Sequence, residues 1–380
     1  MELSAQVIEY IKNTEDELLS LLKKLAVIPA PSHNEDLRAE FCKNWLLENG
    51  AEGVYIDDAK NVILPLNCDG CDEITVFMAH TDVVFPDTEP LPLVCDGNVL
   101  RAPGIGDDTV AVVMLLMTVK YILQNKLLPG KGILFVANSC EEGLGNLKGS
   151  MQIMKDFAGR IKGLYTFDGR YDHVVDKCVG SYRYEIECET EGGHSFGNFG
   201  NANAIVELSR LISDLYAIEI PRNNGSKTTY NVGHIEGGTS VNTIAQYAKM
   251  LYEYRSDDVR CIERMTELFE ECVRHANERG TATFRVTTVG IRPCGSEDVD
   301  HALHEEMLSL ASSISEKHSG IPCVRRSGST DCNSPMSVGV PAVCLGCYAG
   351  GGAHTREEYL EIDSLSAGMK IVSELILSYF

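Results

Sequence analysis

Apolar residues recur at helical spacing over residues 5–26, where Val7, Ile8, Ile11, Leu18, Leu19 and Leu22 share one face. That period predicts an amphipathic helix. The pattern then shifts to short unbroken apolar runs, Ile74-Thr75-Val76-Phe77-Met78-Ala79 and Ile133-Leu134-Phe135-Val136-Ala137. Runs of this length suit strands buried on both faces. Between them, residues 110–127 read as a long apolar helix, and Gly163-Leu164-Tyr165-Thr166-Phe167 supplies another strand. The alternation predicts an α/β domain.

Near Gly180 the period changes. Residues 182–188 alternate as a half-exposed strand, followed by a helix over about 202–216 and strands near 227–235 and 244–254. A helix over 258–278 and a strand over 282–289 complete a β-α-β-β-α-β order, the ferredoxin-like unit. After Pro293 the chain returns to helix, strand and helix, ending on the amphipathic stretch 363–379. At 380 residues the chain exceeds what one core usually supports. The simplest architecture is a discontinuous α/β domain, residues 1–179 and 293–380, with a mixed sheet flanked by helices. A small α+β domain, residues 180–292, is inserted into it.

The formal net charge of −22 argues against nucleic acid and anionic membrane as partners, since phosphate attraction would be reversed. Met1-Glu2-Leu3-Ser4 opens onto an acidic helix rather than a basic and then apolar leader. No segment approaches the ~18 unbroken apolar residues of a membrane span. A cytoplasmic protein is expected, its fourteen cysteines reduced. Two Cys-x-x-Cys pairs, Cys68/Cys71 and Cys344/Cys347, raise a structural zinc. In the second pair, continued strand alternation would turn the two sulfurs to opposite faces.

The chemistry lies where ligand-type side chains fall. His80 and Asp82 follow the strand at 74–79, Glu141 and Glu142 follow 133–137, and Asp168 follows 163–167. Asp107 and Asp108 sit in a glycine-flanked turn that opens the long helix. His354 follows the strand 340–345 through Gly350-Gly351-Gly352-Ala353. Open α/β sheets bind ligands beyond the carboxyl ends of their strands. Two imidazoles among carboxylates suit zinc, manganese or cobalt better than calcium or magnesium. A pair of such ions needs a bridging carboxylate, flanking ligands, and a general base that is not itself a ligand.

Taken together, these segments resemble the dinuclear zinc hydrolases that include glutamate carboxypeptidase, aminoacylase, acetylornithine deacetylase and peptidase T. The matching motifs are Ala79-His80-Thr81-Asp82, Gly104-Ile105-Gly106-Asp107-Asp108, Glu141-Glu142-Gly143, Phe167-Asp168-Gly169 and Gly350-Gly351-Gly352-Ala353-His354. Gly192-Gly193-His194-Ser195, Gly237-Gly238-Thr239-Ser240-Val241-Asn242 and Ser329-Thr330-Asp331-Cys332-Asn333 match as well. The resemblance implies that His80, Asp107 and Asp168 hold one divalent ion, and Asp107, Glu142 and His354 the other, with Asp107 bridging. It implies a cis Asp107-Asp108 peptide, Asp82 orienting His80, and Glu141 as general base. It makes the insert a lid and homodimerisation domain, whose His194 steadies the oxyanion in a neighbouring subunit. Asn242 and Arg255 become the candidates for gripping a substrate carboxylate.

One departure stands out. Lysine-glycine commonly follows the Asp-Asp turn in that family, and Thr109-Val110 stands here instead. Asp168 resembles the peptidase branches, since deacylases more often use glutamate there. The expected activity is therefore hydrolysis of small peptides, with an N-acyl-amino-acid amidohydrolase as the rival. A catalytically silent metal-binding protein is disfavoured by Glu141. An aminopeptidase with a different insert is disfavoured by Gly192-Gly193-His194-Ser195. Glu357-Glu358 is read as shaping the loop after His354, without a catalytic role.

Overall fold

The apolar runs become the middle of an eight-stranded mixed sheet in the computed structural model, which describes residues 2–380. The sheet belongs to the first of two compact units, formed by residues 2–178 together with Ser296–Phe380. Its strands lie in the order Tyr55–Ile56, Val62–Leu66, Gly132–Asn138, Ile74–His80, Ile161–Phe167, Ala342–Leu345, His173–Cys178 and Val324–Gly328. The middle four, from Gly132–Asn138 to Ala342–Leu345, are mutually parallel. Parallel strands covered on both faces need no polar alternation, which is why they read as continuous apolar runs. Running the same way, they present their carboxyl ends along one edge.

Each face of the sheet has its own core. Leu22, Phe77, Val113, Tyr165 and Ile371 belong to one buried cluster, with the helices Glu15–Ala26, Val110–Gln124 and Leu365–Leu377. Ile74, Met78, Val136, Ile153 and Met336 belong to the other, with the helices Lys148–Asp156 and Asn333–Ser337. The helix expected over 5–26 is two, Ala5–Asn13 and Glu15–Ala26. They divide at Thr14, whose hydroxyl donates to the carbonyl of Tyr10 at 2.8 Å. Such back-bonding competes with the helical ladder. All fourteen cysteines are free thiols, and Cys344 and Cys347 join the cores on opposite faces. Among the described residues, no helix is long and apolar enough to cross a membrane.

The second unit, Val179–Gly295, is built on four antiparallel strands in the order Thr228–Gly237, Tyr247–Ser256, Gly180–Glu189 and Thr283–Arg292. Numbered along the chain this is 2-3-1-4, the ferredoxin-like arrangement. The helices Ala204–Tyr216 and Val259–Glu278 bury Leu208, Leu211, Ile262, Met265 and Phe269 against Ile186, Met250 and Tyr252 of the sheet. The other face carries charged residues, including Lys249 paired with Glu185 at 3.2 Å. One covered and one open face explain the alternation visible from residue 182 onward.

Candidate active site

The four parallel strands gather the ligand-type residues at their shared edge. His80 ends one strand, Glu141 and Glu142 follow a second, Asp168 a third, and His354 lies beyond the fourth. Asp107 and Asp108 occupy the turn Ile105–Thr109 that leads into the helix Val110–Gln124. The peptide between them is cis. Potential ligand atoms of His80, Asp107 and Asp168 lie within 4.8 Å of one another, as do those of Asp107, Glu142 and His354. Asp107 is common to both groups. Its Oδ1 is 3.0 Å from His80 Nε2, and its Oδ2 is 3.1 Å from His354 Nε2.

The electrostatics describe a site crowded with negative charge. Burial, and then the charge of Asp107, push the Asp168 carboxyl up to about 7. The same two causes raise Glu142. Burial alone would raise Asp107 too, but hydrogen bonds from His354 and His80 hold it well below the usual carboxylate range. The bond to Asp107, and then the Glu142 carboxylate beside it, lift His354 to about 11. Burial opposes a charge on His80, yet Asp107 and Asp82 raise it well above the ordinary imidazole range. Glu142 Oε1 is buried and makes no hydrogen bond, although His354 Nε2 is 3.4 Å away. A buried oxygen left in this way and two imidazole nitrogens each facing a carboxylate fit divalent cations with borderline ligands.

Asp82 has more neighbours than the sequence assigns to it. His80 Nδ1 lies 3.0 Å from its carbonyl oxygen and 3.5 Å from its Oδ1. Its carboxylate meanwhile accepts the backbone N–H groups of Glu141 and Glu142, each at 2.9 Å, and the Ser32 hydroxyl at 2.7 Å. Glu141 is buried, and its carboxylate falls within 4.8 Å of the ligand atoms of His80 and Glu142.

Glu358 is the residue sequence reasoning undervalued. Fully buried, it accepts the N–H groups of Gly104, Gly106 and Asp107, each at 2.8 Å. It therefore ties the segment carrying His354 to the turn carrying Asp107. The glycines make the approach possible. Gly104 has φ +70°, and a Cβ on Gly106 would sit 2.2 Å from the Tyr348 hydroxyl oxygen. The available signal was a carboxylate four residues past His354, too common a feature to single out.

The three remaining candidates belong to the second unit. His194 pairs with Thr243 across a two-stranded ribbon, and the Ser195 N–H donates to the Asn242 carbonyl at 3.0 Å. These two loops are therefore neighbours. His194 Nδ1 accepts the N–H groups of Phe196 and Gly197 at 3.3 and 3.2 Å, which puts the ring proton of the neutral imidazole on Nε2. Arg255 lies elsewhere. It pairs with Ser181 near the opposite end of the strand Tyr247–Ser256, roughly 25 Å from Tyr247 at the strand rise. Its guanidinium is not free, because Nε and Nη2 donate to the two oxygens of Glu253, each at 3.0 Å.

Comparison with known proteins agrees with this architecture. The chain superposes on a tripeptidase from Staphylococcus aureus with a TM-score of 0.75 at 22% identity, covering 96% of this chain and 98% of that one. It superposes on aminopeptidase PepT from Bacillus cereus with a TM-score of 0.72 at 20% identity, again covering 96% and 98%. The dipeptidase Dug1p from Saccharomyces cerevisiae gives 0.75 at 16% identity, covering 98% of both chains. No curated protein sequence matches the chain. The profile of Peptidase family M20/M25/M40 matches residues 76–378, a span that holds every candidate site residue. The chain belongs to that family and is a metallopeptidase.

Proposed function

We propose that this chain hydrolyses peptide bonds in small peptides at a two-metal site, with zinc as the first candidate and manganese or cobalt as alternatives. The observation that carries the reading is Asp107, which presents one carboxylate oxygen to each of two imidazoles. His80, Asp107 and Asp168 would hold one ion, and Asp107, Glu142 and His354 the other. When bound, such a pair would supply Lewis acidity to the scissile carbonyl and acidify the attacking water.

The chain's own residues do the rest. Glu141 takes up the proton of that water and delivers it to the leaving amine. Asp82 orients His80 and fixes the backbone that carries Glu141 and Glu142. His194, with its proton on Nε2, offers a fixed donor to the developing oxyanion. Asn242 and Arg255 engage the substrate carboxylate, Arg255 by exchanging Glu253 for it.

His194 and Asn242 sit together, close in sequence to the Tyr247 end of the strand Tyr247–Ser256, while Arg255 sits at the far end of that strand. One chain therefore cannot supply all three to one small peptide, which supports a homodimer in which the inserted unit serves as lid and interface. Phe196 and Phe199, each 90% exposed beside His194, support a surface that is covered in use. The free thiols support a reducing, cytoplasmic setting.

Aspartate at position 168 supports a peptidase over an N-acyl-amino-acid amidohydrolase. The Staphylococcus aureus and yeast proteins, named as a tripeptidase and a dipeptidase, support small peptides as the substrate class. Assaying the zinc-, manganese- and cobalt-loaded chain against dipeptides, tripeptides and N-acyl amino acids tests the reading. The highest kcat/KM is expected on a di- or tripeptide. A preference for N-acyl amino acids would replace the peptidase reading with the amidohydrolase one.

A further inference from the structure

Arg38 belongs to the helix Asp36–Glu48 and is wholly buried. Its Nε donates to the Ile28 carbonyl at 2.9 Å, and its Nη1 donates to the Thr81 carbonyl at 2.9 Å and the Thr109 hydroxyl at 3.0 Å. Nη2 is buried with no hydrogen-bond partner. A guanidinium kept dry with one nitrogen unsatisfied is expensive, and methionine or leucine would fill similar space at lower cost. Burial pushes Arg38 down to about 10, with Cys42, Asp82 and Glu358 opposing the fall, so it is charged at neutral pH. A charge retained on those terms calls for a task.

The two groups on Nη1 indicate what it is. Thr81 stands between His80 and Asp82, and Thr109 directly follows Asp107-Asp108. The Thr109 hydroxyl also donates to the Gly104 carbonyl, at the start of the same turn. One nitrogen thus bonds both of the turns on which candidate ligands are carried. The Thr109 side chain is uncharged, and a cation reaches its hydroxyl from a different helix. We infer that Arg38 is a positioning residue, holding the His80-Thr81-Asp82 turn against the Asp107-Asp108 turn. The inference rests on the two-metal reading of the site.

The test is a zinc titration of the full chain by calorimetry, alongside the thermal midpoint of the metal-free protein. Removing a nearby positive charge would by Coulomb's law alone tighten cation binding, whereas losing the alignment of the turns would weaken it. Arg38→Met is expected to bind zinc about ten- to a hundredfold more weakly than the parent. Arg38→Lys should lose part of the affinity, because an ammonium lacks the planar fork. Zinc binding by Arg38→Met as tight as the parent's, or tighter, overturns the inference, whatever happens to the thermal midpoint. Should Arg38→Met fail to fold, Arg38→Lys decides: affinity below the parent's supports the inference, and affinity equal to the parent's overturns it. A parent chain that takes up no zinc is a different outcome, because it removes the two-metal reading beneath the inference.

Discussion

The carboxylate of Asp82 receives the backbone N–H of Glu142 on Oδ2 at 2.9 Å, and that of Glu141 on Oδ1 at the same distance. The residue beside His80 therefore also sets the backbone of the proposed base and of a proposed ligand. Burial acts to raise its carboxyl, but the bonds from His80, Ser32 and Glu142 keep it below the ordinary value. It stays ionised and accepts on both oxygens.

Asp82→Asn tests that arrangement. The asparagine amide turns an NH2 group toward one of the two backbone donors, so one bond becomes a clash of donors. Urea denaturation of the metal-free protein should show a loss of about 1–3 kcal/mol. Metal affinity or turnover should fall about 10–100-fold. Unchanged turnover and stability would leave Asp82 with no role in orientation.

Glu358→Gln makes a parallel case on the other side of the site. The amide cannot accept on both oxygens the three N–H groups that Glu358 now holds. Stability should drop by about 1–3 kcal/mol. Zinc binding should weaken as well, because the displaced turn carries Asp107. A stability loss with zinc affinity intact would confine Glu358 to a structural role.

Proton release should accompany metal binding. The hydrogen bond to Asp107 and the adjacent Glu142 carboxylate raise His354 to about 11 in the metal-free protein, so the imidazole is charged at neutral pH. A metal ligand must be neutral imidazole, so binding displaces that proton and affinity rises with pH. Titration calorimetry in buffers of different ionisation enthalpy should give a buffer-dependent heat. A heat independent of buffer would contradict the assignment of His354 as a ligand.

The shared-site proposal predicts complementation. His194→Ala should lower kcat without loss of metal, and Glu141→Ala should be nearly inactive. Mixing the two under conditions that exchange subunits should regenerate activity, since one site of each mixed dimer has both residues intact. If no activity returns despite exchange, His194 does not act across subunits.

How far the sequence could be read follows from what each signal depends on. The central strands were legible because Ile74–His80 and Gly132–Asn138 are short, apolar and bounded by turns. The ligand cluster followed from them, since parallel strands deliver the residues after their carboxyl ends to one place. The helix Asp36–Glu48 was not legible: its buried face includes Arg38 beside Ala39, Cys42 and Leu46, so apolar periodicity is broken where it packs. Glu358 and Arg38 act through backbone groups of segments distant in the sequence, which no local spacing reveals. Arg255 is expected from the resemblance to grip a substrate carboxylate, and the sequence does not show what its guanidinium already holds. Glu253, two residues away on the same strand, occupies its fork.

The central claim is that Glu141 moves the proton while other residues hold the metals, and it can be read from one variant. Glu141→Ala should retain two zinc ions per chain by elemental analysis. Its kcat on the best small peptide should fall by about 10²–10⁴. Substantial turnover in that variant, or the loss of a metal ion from it, would contradict the account.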